Sequence, residues 1–192
     1  MLENQELAIY DLDGTLIDDS ERVKASLKDI GAEGKSIDEL TEEEGKKFDA
    51  VYHSAKYLDL DKPIKAEIAN VRKDANLYTI WIVSGRHKDM KRATVKQLDK
   101  FDIPYDNLEL LSITREHIAE VPETKKQFVQ QLIDKGAEIV KYVDDDEDVL
   151  TALEEVLPRD KIIKATRGET VEEKITKKGS GSEIIFRKTK DF

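Results

Sequence analysis

The chain has 192 residues, 39% of them hydrophobic, and a formal net charge of −10 at pH 7. That length suits one domain, or one domain with a modest insertion, and it can bury a sizeable core. The sequence has no cysteine, which excludes disulfide bonds, thiolate catalysis and cysteine–zinc sites. The longest apolar run, Ile80–Val83, is far shorter than a membrane span, and the start of the chain lacks the features of a signal peptide. We therefore expect a soluble cytoplasmic protein.

The charge is unevenly distributed along the chain. Residues 1–60 contain 16 acidic and 7 basic side chains, whereas residues 161–192 contain 9 basic and 5 acidic ones. A further basic cluster extends from Arg86 to Lys100, and most of it is expected to be the solvated face of a helix. The net negative charge argues against general binding to duplex nucleic acid.

The first predicted element is a strand, Leu7–Asp11, which leads into the run DLDGT at residues 11–15. Side chains two residues apart point to the same face of a strand, so Asp11 and Asp13 should converge where the strand ends. Two adjacent carboxylates repel each other unless a cation or a proton lies between them. This geometry suits a magnesium site with one acid free to attack a substrate or to carry a proton. A β-hairpin is the simpler alternative, because Asp-Gly between apolar runs is typical of a two-residue turn.

Residues 17–61 contain helical patterns only. Helices are predicted at Glu21–Ile30 and Thr41–Tyr57, with capping-box signatures at Ser36/Glu39 and Thr41/Glu44. A further helix is predicted at Lys62–Ala75. We therefore expect residues 17–61 to form a small helical cap, inserted into a core domain made of residues 1–16 and 62–192.

Strands and helices alternate after this segment. The remaining predicted strands are Tyr78–Ser84, Leu108–Ile113, Ile139–Val143 and Lys161–Ala165, and the helices between them are Lys88–Phe101, Thr124–Lys135 and Glu147–Leu157. The alternation is typical of βαβ units in a parallel sheet covered by helices, which is a three-layer, Rossmann-like α/β fold. Two last segments, Val171–Lys177 and Glu183–Thr189, flank a Gly-Ser turn and predict a C-terminal β-hairpin.

Polar residues follow three of the predicted strands. They are Asp11 and Asp13 after the first strand, Ser84, Gly85 and Arg86 after the second, and the acidic run from Asp144 to Asp148 after the fourth. Two lysines, Lys125 and Lys126, begin the helix that precedes the fourth strand. Because the carboxyl ends of parallel strands meet at one edge of the sheet, we expect these groups to lie together. Such a combination favours magnesium-assisted phosphoryl transfer.

These motifs resemble those of the haloacid dehalogenase (HAD) superfamily, whose members use a DxDGT motif for aspartyl-phosphate chemistry. DLDGT matches the first motif, VSGR at residues 83–86 the second, Lys125 or Lys126 the third, and VDDDED at residues 143–148 the fourth. The resemblance covers about residues 6–165. Within the superfamily, the VSGR motif, the short helical insert and the paired aspartates are most similar to the 3′-phosphatase domains of phage polynucleotide kinases and to stand-alone phage phosphatases.

The resemblance implies a role for each matching residue. Asp11 would be the nucleophile, and Asp13 would protonate the leaving oxygen and then activate water. Ser84 would hydrogen-bond a phosphoryl oxygen, while Lys125 would offset the charge of the phosphoryl group. We favour Lys125 over Lys126 only slightly, because the apolar residues that follow it would then face the core. Further substrate contacts would come from Thr15, Gly85 and Arg86.

The resemblance also implies a Mg²⁺ site. Its ligands would be Asp11, Asp144 and Asp145, together with the backbone carbonyl of Asp13. The common fourth motif instead has two acids four residues apart, a spacing that Asp144 and Asp148 match. The sequence therefore leaves open which of Asp144, Asp145 and Asp148 bind the metal.

The leading hypothesis from the sequence is a magnesium-dependent phosphomonoesterase acting on a nucleotide or a nucleic-acid end. A phosphatase for small sugar phosphates is the second. A phospho-aspartate signalling domain is a third, but it would carry its phosphoacceptor on the third strand, Leu108–Ile113, which has no aspartate. A non-catalytic binding module is disfavoured because every catalytic position is occupied. The expected partners are phosphorylated molecules, and no membrane or obligate protein partner is indicated.

Overall fold

A computed structural model describes residues 2–113 and 120–166 of the chain. Its strands are β1 (Glu6–Tyr10), β2 (Ile17–Asp18), β3 (Lys62–Pro63), β4 (Thr79–Ser84), β5 (Asn107–Leu110), β6 (Glu138–Asp144) and β7 (Ile162–Lys164). Its α-helices are α1 (Ser20–Asp29), α2 (Glu42–Tyr52), α3 (Lys65–Asp74), α4 (Lys91–Lys100), α5 (Val121–Asp134) and α6 (Glu147–Leu153).

Five strands form one sheet in the order β5-β4-β1-β6-β7. The central strand, β1, pairs in parallel with β4 on one side and with β6 on the other. Residues 7–10 of β1 are fully buried, as expected for a strand covered on both faces. The chain continues from β1 to β4 and β5 and then returns to β6 and β7, so the strand order reverses beside β1. Ligands of open α/β sheets bind at such a reversal, beyond the carboxyl ends of the strands.

Helices cover both faces of the sheet and complete the predicted three-layer α/β fold. Leu7 and Ile9 of β1 pack in one apolar cluster with residues of α5 and α6. Ala8 and Tyr10 pack in a second cluster with residues of α3 and α4. This alternation follows from the two-residue period of a strand, which directs successive side chains to opposite faces.

Helices α1 and α2 lie in the 17–61 segment and have an apolar cluster of their own. Its buried members are Leu27, Ala32, Leu40 and Phe48. Both predicted capping boxes are present; in the second, the Thr41 backbone N–H donates to the Glu44 carboxylate and the Glu44 N–H donates to the Thr41 hydroxyl. Antiparallel pairing of β2 with β3 joins the two ends of the segment.

The five predicted strands of the sheet are confirmed, with small shifts in their bounds. The prediction that residues 17–61 contain helices only was wrong, because Ile17–Asp18 pairs with Lys62–Pro63 as a short two-stranded sheet. The helix predicted from Lys62 begins at Lys65, since a proline disfavours helical backbone at the residue before it. The helices predicted to reach Tyr57 and Leu157 end at Tyr52 and Leu153, and turns follow them.

Two further sequence-based expectations concern membrane-spanning helices and the C-terminal hairpin. Within residues 2–113 and 120–166, no helix combines the length and apolar character needed to cross a membrane. The predicted C-terminal hairpin, Val171–Lys177 and Glu183–Thr189, lies outside the described residues.

Candidate active site

Three carboxylates meet at the carboxyl ends of β1 and β6. Asp11 directly follows β1, and its backbone N–H donates to the carbonyl of Val143 at 2.9 Å. Asp144 ends β6 and Asp145 follows it. One carboxylate oxygen from each of the three aspartates lies within 4.8 Å of the other two. Asp11 and Asp144 are buried, whereas Asp145 is partly exposed. The two strand ends thus bring together residues more than 130 positions apart in the chain.

One lysine lies between two of these carboxylates. The Lys125 ammonium, on α5, is 2.8 Å from an oxygen of Asp11 and 2.8 Å from an oxygen of Asp144. Its side chain is only 5% exposed. Lys126 points elsewhere and pairs with Glu155 at 2.8 Å on the protein surface. The structure therefore brings Lys125, and not Lys126, to the cluster.

Burial and charge act in opposite directions on this cluster. Burial raises the pKa of Asp11 well above its usual value; the Lys125 ammonium lowers it, and the carboxylates of Asp144 and Asp145 raise it further. Burial by itself lowers the pKa of Lys125, but Asp11 and Asp144 raise it well above its usual value. We therefore expect the lysine to stay protonated and to stabilise negative charge at this position.

The donor set of this cluster fits a divalent cation. It consists of oxygen atoms only, which are the ligands that Mg²⁺ prefers, and contains neither histidine nor thiolate. When ionised, the three carboxylates and the Lys125 ammonium sum to a charge of −2, which a divalent ion would balance. Asp148, the alternative ligand, is exposed on α6 and is not part of this group.

The loop after β1 shapes the position of Asp145. Gly14 has a φ of +85°, and a Cβ atom there would lie 2.6 Å from both carboxylate oxygens of Asp145. The Thr15 hydroxyl donates to the same carboxylate at 3.1 Å. Glycine is therefore needed at position 14 both for the backbone conformation and for the close approach of Asp145. The observed partner of Thr15 is this aspartate, so a contact of Thr15 with substrate stays a prediction.

Two buried arginines bind Asp13. Arg22, on α1, and Arg86, which follows β4, both donate to its carboxylate; the two Arg86 bonds measure 2.7 and 2.6 Å. Burial would raise the pKa of Asp13, but the two guanidinium groups hold it well below its usual value. In this arrangement Asp13 is ionised, and it must gain a proton before it can give one to another group.

Arg86 has several buried partners besides Asp13. Its guanidinium is 1% exposed and also donates to Thr94 at 3.2 Å, to Gln97 at 2.8 Å and to Asp61 at 3.3 Å. A guanidinium with these partners has its N–H donors engaged. Arg86 is thus bound to Asp13 and to its other buried neighbours; it also lines the cavity, and its predicted contact with substrate stays a prediction.

Ser84 and Gly85 line the same cavity as the carboxylates. Ser84 is the last residue of β4 and is 1% exposed, and its hydroxyl oxygen accepts from the Arg86 N–H at 3.3 Å. The carbonyl of Gly85 accepts from the N–H of Ile113 at 2.9 Å, which fixes the loop at this edge of the sheet. Their predicted contacts with a phosphoryl group stay predictions.

A cavity of about 780 Å³ opens above the cluster. Its floor contains Asp11, Ser84 and Lys125, together with the other strand-end residues. Another wall comes from the 17–61 segment and mixes two kinds of residue. The apolar and aromatic members are Val23, Ile37, Phe48, Tyr52 and His53, and the polar members are Asp18, Asp19, Ser20, Lys24 and Asp49. Lys88, Lys91 and Arg92 are exposed and do not line it. Cavities of this size typically hold small molecules.

The match to a family model identifies the type of protein. The model of the HAD superfamily, subfamily IIIB (acid phosphatase), matches residues 2–174 of the chain. The chain belongs to the HAD superfamily. It is a HAD-type phosphatase, and HAD phosphatases generally use a divalent metal ion. A search of curated proteins finds no match.

Solved structures similar to this HAD phosphatase share its fold at low sequence identity. A chain of the Pnkp1/Rnl/Hen1 RNA repair complex matches with a TM-score of 0.55 and 18% identity, over 86% of this chain and 46% of that one. A haloacid dehalogenase-like hydrolase from Streptococcus pneumoniae matches with a TM-score of 0.53 and 16% identity, over 81% and 82% of the two chains. The class C acid phosphatase from Bacillus anthracis matches with a TM-score of 0.51 and 15% identity, over 86% of this chain and 67% of that one. The present chain therefore spans less than half of the RNA-repair chain that it matches.

Sequence reasoning missed two charged residues of this HAD phosphatase site. Arg22 and Asp61 have fully buried side chains, and the Arg22 Nε atom lies 3.0 Å from an Asp61 oxygen. The only sequence signal for Arg22 is weak: Ser26, four residues later, is a small residue on the same helix face and is also buried. Asp61 follows a helical turn, and in the sequence it is indistinguishable from a solvated loop residue.

Proposed function

We propose that this phosphatase is a magnesium-dependent phosphomonoesterase that acts through an aspartyl-phosphate on Asp11, with a nucleotide or a terminal nucleotide as substrate. The observation that carries the proposal is the position of Lys125, 2.8 Å from both Asp11 and Asp144 at the floor of the cavity. A buried ammonium beside a strand-end carboxylate can stabilise the negative charge of a transferring phosphoryl group. Mg²⁺, when bound by Asp11, Asp144 and Asp145, supplies further positive charge at the same point.

In this proposal Asp11 is the nucleophile and Asp13 transfers the protons. An Asp11 oxygen attacks the phosphorus atom and the bond from phosphorus to the leaving oxygen breaks. Asp13, which has first taken up a proton from solvent or from the phosphate monoanion, gives that proton to the leaving oxygen. In the second half, Asp13 takes a proton from water as the water oxygen bonds to phosphorus and the bond to Asp11 breaks. The products are an alcohol and inorganic phosphate. Lys125 stabilises the phosphoryl charge in both halves, and the Ser84 hydroxyl donates to a phosphoryl oxygen.

We further propose that the 17–61 segment is a cap that receives the leaving group. It has its own apolar cluster and supplies one wall of the cavity. Within this wall, Val23, Ile37 and Phe48 offer few hydrogen-bond partners, which suits the apolar faces of a nucleoside. The resemblance of the motifs to those of phage 3′-phosphatases also favours a nucleotide substrate, and this argument does not depend on the cavity wall.

A small sugar phosphate is the second candidate, and one observation favours it. The cavity lining includes eight aspartates against Lys24, Arg86 and Lys125, and the exposed cluster of Lys88, Lys91 and Arg92 is not part of it. A long polyanion would therefore meet few cations inside the cavity. Under the leading proposal, only the terminal nucleotide enters the cavity, and the rest of the strand stays outside it.

The release of inorganic phosphate from a panel of monoesters tests this proposal. The panel contains 3′- and 5′-nucleotides, oligonucleotides phosphorylated at either end, sugar phosphates and 4-nitrophenyl phosphate, each assayed with Mg²⁺ and with excess chelator. We expect nucleotides or oligonucleotide ends to have the highest kcat/KM, and we expect chelator to abolish all activity. Full activity in chelator would contradict the metal site, while sugar phosphates as the best substrates would favour the second candidate.

A substitution in the wall of the cavity tests the cap. We expect Val23→Phe, which narrows the cavity from α1, to raise KM for nucleotides about tenfold, because the larger side chain would occupy space that the leaving group needs and a misfit of this kind costs of the order of 1–3 kcal/mol. The kcat/KM for 4-nitrophenyl phosphate should change by less than about threefold. The matched control is Lys28→Phe on the same helix, where the side chain is 71% exposed and distant from the cavity lining. Equal effects of Val23→Phe on both substrates would argue against a leaving-group role for this wall.

A further inference from the structure

A second buried carboxylate lies on the far side of the two arginines that bind Asp13. The Asp61 side chain is fully buried. One of its oxygens accepts from Gln97 at 2.8 Å and from Arg86 at 3.3 Å, and the other is 3.0 Å from the Nε atom of Arg22. Each guanidinium is therefore held between two carboxylates, Asp13 on one side and Asp61 on the other.

The position of Asp61 in the chain makes this arrangement a junction of three segments. Asp61 immediately precedes β3, where the 17–61 segment rejoins the core, and Arg22 belongs to α1 near the start of that segment. Gln97 belongs to α4 of the core and donates to Asp61 and to the carbonyl of Leu58, while its side-chain oxygen accepts from Arg86 at 2.8 Å. A change at Asp61 would therefore reach both arginines at once.

The charges of the group balance when all members are ionised. Two guanidinium groups face two carboxylates, and Arg22 also has the Asp19 carboxylate at 3.7 Å. Burial raises the pKa of Asp61 to about 6, against the opposing effect of Arg22 and the Gln97 hydrogen bond. Among the described residues, Asp13 and Asp61 are the carboxylates that pair with Arg86, so without Asp61 only Asp13 would remain. Both guanidinium groups would then lose the negative charge on the side away from Asp13.

We propose that Asp61 is a positioning residue for catalysis: it holds Arg22 and Arg86 in the orientation in which they fix the carboxylate of Asp13. Asp61 lines no part of the cavity and touches no reacting atom; it acts through the two arginines. This inference rests on the proposed function, because it takes Asp13 to be the group that transfers a proton to the leaving oxygen. A purely structural ion pair in the same place would affect stability but not the dependence of the rate on the leaving group.

That dependence provides the test. We expect Asp61→Asn, which keeps the shape and removes the charge, to lower kcat/KM for an alkyl phosphate about 10–100-fold more than kcat/KM for 4-nitrophenyl phosphate. The reason is that an alkoxide needs a proton to leave, whereas 4-nitrophenolate does not, and well-placed acid catalysis contributes about 10²–10⁴-fold. The ratio of the two kcat/KM values reports the step in which the leaving group departs, whereas hydrolysis of the intermediate is common to both substrates. The matched control is Asp59→Asn, two residues earlier, whose side chain is completely exposed; it should behave like the wild type on both substrates.

Two reference variants separate this proposal from the proposed function. Asp11→Asn should be inactive on both substrates, and Asp13→Asn should lose far more kcat/KM on the alkyl phosphate than on 4-nitrophenyl phosphate. If Asp13→Asn shows this selectivity and Asp61→Asn lowers both rates equally, or neither, the role of Asp61 is overturned while the proposed function stands. If Asp11→Asn retains activity, or if Asp13→Asn is not selective, the proposed function itself fails.

A second variant covers the case in which Asp61→Asn does not fold. Gln97→Met has a similar volume and removes three hydrogen bonds, to Asp61, to Arg86 and to the carbonyl of Leu58, without removing a charge. We expect it to show the same selective loss on the alkyl phosphate, about 3–10-fold, because Asp61 and Arg86 keep their charges but lose alignment. An equal loss on both substrates would overturn the positioning role.

Discussion

Asp11→Asn is expected to abolish turnover, with kcat falling by at least about 10⁴-fold on every substrate. An amide cannot form the acyl-phosphate intermediate, and the change also removes one of the three clustered carboxylates. The side-chain shape is kept, and Asp11 lies at the end of the central strand, so the fold should survive. The measurements are phosphate release and thermal unfolding in the presence of chelator, with the exposed Asp59→Asn as the control for handling and contamination.

A trapping experiment makes the same prediction more specific. When Asp13 is replaced by Asn, hydrolysis of the intermediate loses its base, so phosphate from 4-nitrophenyl phosphate should accumulate on the protein. Mass spectrometry should locate this acid-stable, alkali-labile adduct on Asp11. It should be absent from the Asp11→Asn, Asp13→Asn double variant. An adduct at another residue, or near-normal turnover by Asp11→Asn, would refute covalent catalysis at this position.

The sheet and the carboxylate cluster could be predicted from the sequence because local signals determine them. The strand before Asp11 and the strand before Asp144 are short apolar runs between turn residues, and such runs are found where both faces of a sheet are covered. The carboxyl ends of parallel strands lie at one edge of the sheet, however the side chains around the sheet are packed. Two residues that end neighbouring parallel strands therefore approach each other even when they are far apart in the chain.

The choice between Lys125 and Lys126 shows where the sequence signal weakens. Neighbouring residues of a helix point about 100° apart, so the register of α5 decides which lysine faces the carboxylates. Val129 and Leu132, four and seven residues after Lys125, are buried in the core, and Lys125 lies on the same face. The apolar pattern contains this information, but Phe128 and Ile133 blur it, because they are only partly buried.

The arginine–carboxylate network could not be predicted, for a different reason. Arg22, Asp61 and Arg86 belong to three separate segments, and nothing local distinguishes a buried arginine from an exposed one. Charged side chains are mostly exposed, so the general expectation for Arg22 and Asp61 is a surface position, while the VSGR motif predicts for Arg86 a contact with substrate and not with Asp61. Their burial follows only from the way in which the 17–61 segment closes on the core, and tertiary packing of that kind leaves no periodic pattern in the sequence.

Lys125→Met is expected to have the second large effect, on both activity and stability. The variant loses the ammonium that lies 2.8 Å from Asp11 and from Asp144, so we expect kcat to fall by about 10³-fold, as for the loss of a group that stabilises transition-state charge. It also leaves buried carboxylates without their counter-ion. Removing one partner of a buried ion pair typically costs about 3–5 kcal/mol, which would lower the unfolding temperature by the order of 10 °C in chelator.

Magnesium and the neighbouring lysine supply the controls for this experiment. If the three carboxylates bind a divalent ion, Mg²⁺ should raise the unfolding temperature of Lys125→Met more than that of the wild type, because the ion restores positive charge where the ammonium is missing. Lys126→Met changes the adjacent residue, which pairs with Glu155 at the surface, and should leave kcat and the unfolding temperature nearly unchanged. A Lys126→Met variant as inactive as Lys125→Met would show that the helix, and not the ammonium, was disturbed. A Lys125→Met variant that gains no more from Mg²⁺ than the wild type would place the cation away from these carboxylates, and the acidic cluster would then have to be explained without a metal.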